Sequence, residues 1–290
     1  MSELRFGTAG IADDFEELGY RTAFQVPEYL CSYGLNAFEY QCGRGVRLTE
    51  KNGQKLGALG AEKGIRFSVH APYYISMSSM EEPKRVGSVR YLLESAAAVR
   101  SLGGRRIIFH SGSCGKQSRE EALAKALDTM RLAIEALDEK GFSDIVPCPE
   151  TMGKINQLGT LSEVLALCGV DRRIVPCIDF GHLNARTLGG LASKADFAAV
   201  LDEMADTLGD DRAKNFHVHF SKIQYTQGGE KCHLTFADTE YGPNFEPFFE
   251  LCYERGLTPT VICESAGTQA VDAQAMKLYY ESLGAPGAKK

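Results

Sequence analysis

Six short apolar runs in this 290-residue chain each end in a side chain that commonly binds metal ions. Three of the runs end in histidine and three in a carboxylate: His70, His110, His219, Glu150, Asp179 and Glu264. If the runs are parallel strands of one barrel, their carboxyl ends lie on one rim, where barrel enzymes build their active sites. Histidine and carboxylate ligands together indicate a divalent metal site, and this many ligands predict more than one ion.

Eight strand candidates alternate with helix candidates along the chain. The strands are predicted at residues 4–7, 37–40, 66–70, 106–110, 145–150, 175–179, 216–219 and 260–264. This alternation predicts an α/β fold, a single (β/α)8 TIM barrel with the metal site at the C-terminal rim of the strands. A glycine that precedes most strands is expected to end each helix in the left-handed conformation: Gly34, Gly64, Gly103, Gly141, Gly169, Gly209 and Gly256.

The spacing of Ser118 and Glu121 is that of a capping box, in which each side chain satisfies a free backbone N–H group. It predicts a helix from about residue 118 to residue 140 that stops at Gly141. One barrel domain is expected over residues 1–283, followed by a flexible tail at 284–290.

Composition indicates an ordinary globular protein, with 24% charged and 44% hydrophobic residues. No apolar run is long enough to span a bilayer and residues 1–10 lack a signal-peptide pattern, so a cytoplasmic protein with no membrane partner is expected. Nine cysteines, odd in number and never spaced as C-x-x-C, argue against a disulfide framework or a zinc ribbon. Nothing in the sequence implies a protein partner.

The net charge of −6 at first opposes a nucleic-acid partner, because phosphate binding normally uses a basic surface. Three divalent ions would add about +6 and could make the mouth of the site attractive to phosphate. Two rim loops add Arg44 and Arg47 (loop 41–49) and Tyr73 (loop 71–83), which are predicted to bind substrate by phosphate contact and stacking. The alternative is that these loops are simply polar and exposed.

Beyond these patterns, the chain resembles the endonuclease IV family (AP endonuclease family 2), metal-dependent abasic-site endonucleases among the xylose-isomerase-like TIM barrels. The resemblance rests on seven short motifs in the family's order: HAPY at 70–73, FHSG at 109–112, PETMG at 149–153, CIDFGH at 177–182, HFSK at 219–222, EKCH at 230–233 and ICE at 262–264. They extend from the third predicted strand to the eighth.

The resemblance implies three zinc ions, although manganese or iron would tolerate much of the same ligand set. In such a site His70 and His110 hold the first ion and Glu150 bridges it to the second. The remaining ligands are Asp179, His219 and Glu264 for the second ion, and His182, Glu230 and His233 for the third. Glu150 and Glu264 are also the expected catalytic residues. The implied activity is hydrolysis of the DNA backbone 5′ to abasic sites, by water activated between metal ions.

The sequence departs from the family at the third ion. Where the family usually has Asp-x-His, this chain has Glu230 and His233 with two residues between them, and Cys232 is a rival ligand because thiolate suits zinc. Residues 238–243 also differ from the family's glycine-rich stretch, so the exact DNA substrate is left open. His217 is expected one barrel layer below His219, in the core or supporting the ligands.

Two other functions fit the same barrel. A sugar or sugar-phosphate isomerase or epimerase would use one or two ions to polarise a ketose while a carboxylate moves the proton. Such an enzyme has no evident use for His70, His110 and the Glu230–His233 set. A DNA- or sugar-binding barrel that keeps its metals for structure is the non-enzymatic alternative.

Overall fold

Eight parallel strands form the centre of the computed structural model, which describes residues 3–209 and 211–284. They form one sheet in the order β5-β4-β3-β2-β1-β10-β7-β6. The two edge strands approach each other through a parallel bridge between Glu150 and Cys177, and Thr151 N donates to Cys177 O at 3.0 Å. The sheet is therefore a nearly closed barrel of the (β/α)8 type, with helices packed around it.

The barrel strands are β1 (Arg5–Ala9), β2 (Ala37–Gln41), β3 (Arg66–His70), β4 (Arg106–Phe109), β5 (Val146–Pro149), β6 (Cys177–Asp179), β7 (His217–Phe220) and β10 (Thr260–Cys263). The helices are α1 (Asp14–Glu17), α2 (Val26–Ser32), α3 (Glu50–Glu62), α4 (Glu82–Ser101), α5 (Arg119–Glu139), α6 (Leu161–Cys168), α7 (Phe180–Arg186), α8 (Lys194–Leu208), α9 (Glu246–Arg255) and α10 (Gln269–Ser282). A separate antiparallel hairpin, β8 (Lys222–Thr226) with β9 (Gly229–Leu234), follows β7 directly.

The predicted barrel is confirmed, and all eight strand positions lie within two residues of the observed bounds. Helix α5 begins after Ser118, whose side chain accepts from Glu121 N in the predicted capping box. The expectation of a left-handed glycine is wrong at Gly169, whose φ is −72° because α6 simply winds one residue further. Of the predicted flexible tail, residues 285–290 lie outside the described residues.

Packing outside the barrel fixes the short helix α7, which carries part of the site. Phe180, its first residue, lies with its ring centroid 4.6 Å from that of Phe248 on α9 and 5.2 Å from that of Phe197 on α8. All three rings are fully buried. Because β6 runs directly into α7, this aromatic cluster also holds the chain that follows Asp179 in place.

The hairpin β8–β9 was not predicted from the sequence. Its strands are short and largely polar, and they lack the apolar run that marks the barrel strands. Among residues 3–209 and 211–284, no helix is both long enough and apolar enough to cross a membrane.

Candidate metal centre

A single buried carboxylate, Glu150 at the end of β5, lies at the centre of the histidines. Its Oε2 is 3.2 Å from His70 Nε2 and 3.2 Å from His110 Nε2, whereas its Oε1 is 3.1 Å from His219 Nδ1 and 3.3 Å from His182 Nδ1. Burial alone would raise the pKa of Glu150, but His219 and the other histidines hold it well below its usual range. Because one carboxylate oxygen faces His70 and His110 and the other faces His219, Glu150 is suited to bridge two cations.

Three groups of side chains around Glu150 could each hold an ion, with ligand atoms that lie within 4.8 Å of one another. The groups are His70, His110 and Glu150; Glu150, Asp179, His219 and Glu264; and His182, Glu230 and His233. The fold therefore brings together all nine residues that the sequence pointed to as ligands. A fourth combination of the same kind, Cys177, His217 and His219, lies deeper in the barrel.

Several of these histidines have one ring nitrogen engaged away from the pocket. His70 Nδ1 donates to Ala71 O at 3.0 Å and His182 Nδ1 donates to Thr151 O at 2.9 Å. His233 Nδ1 lies 2.9 Å from Ser221 Oγ. A bond of this kind fixes the orientation of the ring and leaves the other nitrogen for a metal ion.

Asp179 supplies an independent indication that the donor set fits a cation. Its Oδ1 caps α7 by accepting from His182 N at 2.7 Å. Its Oδ2 is fully buried and has no hydrogen-bond partner in the described chain, although His182 Nδ1 is 3.1 Å away. A buried carboxylate oxygen without a partner is costly, and a divalent ion would satisfy it. Asp179 is thus both the capping residue of α7 and a candidate ligand.

Glu39, in the middle of β2, is a site residue that the sequence reasoning missed. It is fully buried, and its Oε1 lies 2.9 Å from His219 Nε2. Its Oε2 accepts from His217 Nε2 at 2.9 Å and from Ser68 Oγ at 2.9 Å. Glu39 is therefore in charge contact with the far side of His219, although His219 Nε2 makes no hydrogen bond in the described chain, while the Nδ1 of that ring faces Glu150. The available signal was a carboxylate inside an otherwise apolar strand, which must find partners.

The hairpin places the third group despite its unusual spacing. Glu230 pairs with Tyr225 and Cys232 pairs with Gln224, so β9 contains one extra residue, Lys231, between the two pairs. This β-bulge reverses the alternation of side chains and puts Glu230 and His233 on the same face. With the bulge, two intervening residues leave Glu230 and His233 on the same face, as one intervening residue would in a regular strand.

Cys232, the rival ligand, lies on the other face of β9. It is exposed, and its Sγ is 3.5 Å from Gln224 Oε1. It does not contribute to any of the three ligand groups around Glu150.

Gly153, in the loop after β5, allows the hairpin to approach. Glu230 N donates to Gly153 O at 3.2 Å. A Cβ at Gly153 would lie 2.6 Å from Glu230 Cβ and 3.0 Å from His182 Cδ2, which is too close without movement. The glycine of the PETMG motif is therefore required by the third ligand group.

The three groups surround one pocket of about 400 Å³. Tyr73, predicted to bind substrate, lines this pocket with an exposed ring whose centroid is 6.0 Å from those of His70 and His110. Gln41 and Lys154 also line it and were not predicted.

Arg44 and Arg47, the other two residues predicted to bind substrate, do not line the pocket and face solvent. In their loop Cys42 is buried and Val46 packs against the core, so the arginines that alternate with these apolar residues point outward. The nearest candidate for a phosphate contact in the pocket itself is Lys154.

The pKa values of two candidate ligands, Asp179 and His182, are strongly shifted. Burial raises the pKa of Asp179 to about 6. Burial opposes the charge on His182, but Asp179 and Glu150 raise its pKa to about 10. Without a metal ion, His182 therefore carries a proton at neutral pH that a ligand nitrogen cannot keep.

Comparison with known proteins places the chain in a family. The sequence model of the xylose isomerase-like TIM barrel family matches residues 27–283. An uncharacterized protein of Methanocaldococcus jannaschii is 31% identical over 96% of this chain and 97% of its own length. A "Probable endonuclease 4" of Shouchella clausii is 30% identical over 70% of this chain and 71% of its own length. The chain belongs to the xylose isomerase-like TIM barrel family, and its resemblance to endonuclease IV proteins is confirmed.

Two solved structures with the same fold are named for different activities, one for an epimerase and one for an endonuclease. A D-tagatose 3-epimerase-like protein has a TM-score of 0.70 at 20% identity, with 97% of this chain and 98% of that chain covered. Endonuclease IV from Thermus thermophilus has a TM-score of 0.69 at 18% identity, with 96% and 99% covered. At these identities the likeness shows the fold alone.

Replacing Gly153 with Ala should lower the metal content of the site. The new Cβ collides with Glu230, so we expect the third ligand group to open and one ion per chain to be lost or bound much more weakly, measured by elemental analysis after dialysis. Gly87→Ala is the matched control, because a Cβ there meets nothing within 4 Å. Equal metal content in both variants would show that the hairpin does not depend on Gly153.

Replacing Glu39 with Gln should weaken metal binding although Glu39 is not itself expected to bind an ion. The loss of its charge frees His219, and groups that orient a ligand in this way typically contribute about 10–100-fold to metal affinity. The measurement is competition with a chelator of known affinity. Glu163→Gln is the control, since Glu163 is a buried carboxylate paired with Arg119. An unchanged metal affinity in Glu39→Gln would contradict the role assigned to it.

Metal binding should release protons at neutral pH. His182, with its pKa raised to about 10, must lose its proton to become a ligand, so affinity for the ion it binds should rise with pH between neutrality and that value. Calorimetric titration of the metal-free protein in two buffers of different ionisation enthalpy counts the protons. Observed heats that are identical in the two buffers would exclude this release.

Proposed function

We propose that this protein is a metal-dependent phosphodiesterase that cleaves the DNA backbone 5′ to abasic sites, with three divalent ions, zinc in the first instance. The observation that carries the proposal is the set of three ligand groups around Glu150 and one pocket. A shared carboxylate between two ligand groups supports this proposal, because sites with paired metal ions are common among enzymes that act on phosphodiesters. Bound ions would supply an activated water at neutral pH and neutralise charge on the phosphate oxygens.

The protein side chains have roles of their own in this proposal. Glu150 and Glu264 can accept hydrogen bonds from a water that enters between them, and so orient it for attack. Glu264 Oε1 lies 3.5 Å from His219 Nδ1 and its side chain is partly exposed to the pocket, unlike Glu150. Its position at the open side suits a carboxylate that receives a proton from the attacking water.

The rim can contact DNA on both sides of the ligand groups. Lys154 is exposed and lines the pocket beside the third group, where it can meet a phosphate oxygen. Tyr73 presents an exposed ring beside the first group, suited to stacking on a base or packing on a sugar. The pocket volume of about 400 Å³ is enough for a sugar phosphate turned out of the duplex.

A sugar epimerase is the second candidate, favoured by one specific observation. Glu150, Asp179, His219 and Glu264 alone form a complete site for one ion. Two carboxylates beside one ion could exchange a proton with a ketose. This reaction leaves His70, His110 and the hairpin ligands without a task, and we therefore place it second.

The decisive experiment compares both reactions on the same preparation. We expect the zinc-loaded protein to nick a duplex 5′ to an abasic site, leaving a 3′-hydroxyl, and to lose this activity to a chelator. His233→Ala should lower incision by orders of magnitude because it removes a ligand of the third ion. Cys232→Ser is the matched control on the opposite face of β9 and should retain incision near the wild-type rate.

The outcomes separate the two candidates. Intact abasic DNA together with interconversion of ketoses in a sugar panel would replace the phosphodiesterase with the epimerase. Loss of incision in Cys232→Ser with full incision in His233→Ala would overturn the assignment of the third ligand group.

A further inference from the structure

A second cavity, of about 410 Å³, opens at the other end of the barrel. The strands begin there, so the cavity lies on the face opposite to the metal centre. Its lining includes four arginines: Arg5, Arg66, Arg105 and Arg106. Glu3 is the one acidic residue among the described residues that line it, and its side chain is largely exposed. The cavity therefore has four positive side chains and one exposed negative one, which is an excess of positive charge.

The positions of the arginines follow from the barrel. Arg5, Arg66 and Arg106 are the first residues of β1, β3 and β4, and Arg105 precedes β4. These three strands contribute to one arc of the sheet, in the order β4-β3-β2-β1. Arg5 and Arg66 are close enough to repel each other, and burial together with Arg66 lowers the pKa of Arg5. The exposed Glu3, whose Oε2 is 3.8 Å from Arg5 Nη2, offsets only part of this repulsion.

Arg106 is bonded to the residues just before β7. Its guanidinium donates to Phe216 O at 3.0 Å, to Asn215 O at 2.6 Å and to Asn215 Oδ1 at 3.0 Å. All of these acceptors are neutral, so the positive charge is solvated by dipoles and not balanced by a carboxylate. A largely buried charge of this kind is stabilised by an ion of opposite sign.

The inner end of the cavity has an unused polar atom. His217 lines the cavity and is fully buried. Its Nε2 is bonded to Glu39, whereas its Nδ1 has no hydrogen-bond partner in the described part of the chain. Because Nε2 donates to Glu39, Nδ1 is a hydrogen-bond acceptor, so a species bound beside it must donate a hydrogen, as the P–OH group of hydrogenphosphate or a hydroxyl group of a monoester can.

We propose that this cavity is a binding site for a phosphate group, either inorganic phosphate or the phosphate of a small monoester. The planar guanidinium forks of the exposed Arg66 and Arg105 match the oxygens of a tetrahedral dianion, each with two parallel hydrogen bonds, while Arg5 and Arg106 add positive charge nearby. The cavity is wide enough for a phosphate with a small organic substituent. The site is independent of the proposed phosphodiesterase reaction, because its residues lie at the opposite ends of the strands.

The test uses the metal-loaded protein and the double variant Arg66→Gln/Arg105→Gln, in which both altered side chains are exposed. Arg172→Gln is the matched control: Arg172 is exposed in the loop before β6, on the same face of the barrel but outside the cavity. Binding of inorganic phosphate and of ribose 5-phosphate is measured by calorimetry at constant ionic strength, with circular dichroism to check the fold.

We expect the wild type and Arg172→Gln to bind equally. The double variant should lose about tenfold in affinity for each arginine removed, while DNA incision is unchanged. Tighter binding of inorganic phosphate identifies the free ion as the ligand, and tighter binding of ribose 5-phosphate identifies a monoester. Phosphate that binds the double variant as well as the wild type, or only in competition with DNA at the metal centre, overturns the proposal. The exposed single variant Arg105→Gln keeps the test valid if the double variant is unstable.

Discussion

The burial of the Glu150 carboxylate is the constraint on which the candidate metal centre depends. A charge at the end of a buried strand is tolerated only if opposite charges or donors surround it. In this barrel four histidines do so, two at each oxygen, and each comes from a different segment of the chain. Because the ring of each histidine must point at the same carboxylate, the strands and the helix α7 that position them cannot shift without leaving a buried charge unpaired.

That constraint continues below the ligands. Glu39 is buried one layer deeper and is held by His217 and Ser68, while it faces the back of His219. The interior thus alternates acidic and imidazole groups from the rim inward, and the arginines lie at the far end. A layered interior of this kind distributes charge along the barrel axis, so a change at Glu39 is expected to alter the charge around His219, a candidate metal ligand.

Much of this arrangement could be predicted because strand ends in a parallel barrel share one rim. Candidate ligands at the ends of apolar runs, such as His70 and Glu264, could therefore be predicted to lie together from their positions alone. Glu39 was missed because it lies two residues before the end of its strand, and its role depends on neighbours from β3 and β7. The sequence left open whether Arg44 and Arg47 face the site or solvent, since their direction depends on how their loop packs against the core.

The hairpin shows why residue spacing alone is an uncertain guide to a metal site. An extra residue between Glu230 and His233 would place them on opposite faces of a regular strand and would favour Cys232 as the ligand. The bulge at Lys231 instead puts Glu230 and His233 on the same face, and Gly153, which lacks a Cβ, leaves space for Glu230 there. The insertion and the bulge are therefore one feature: the added residue is absorbed by the backbone, and the chemistry of the third ligand group is retained. The same geometry turns Cys232 to solvent, away from the candidate metal centre.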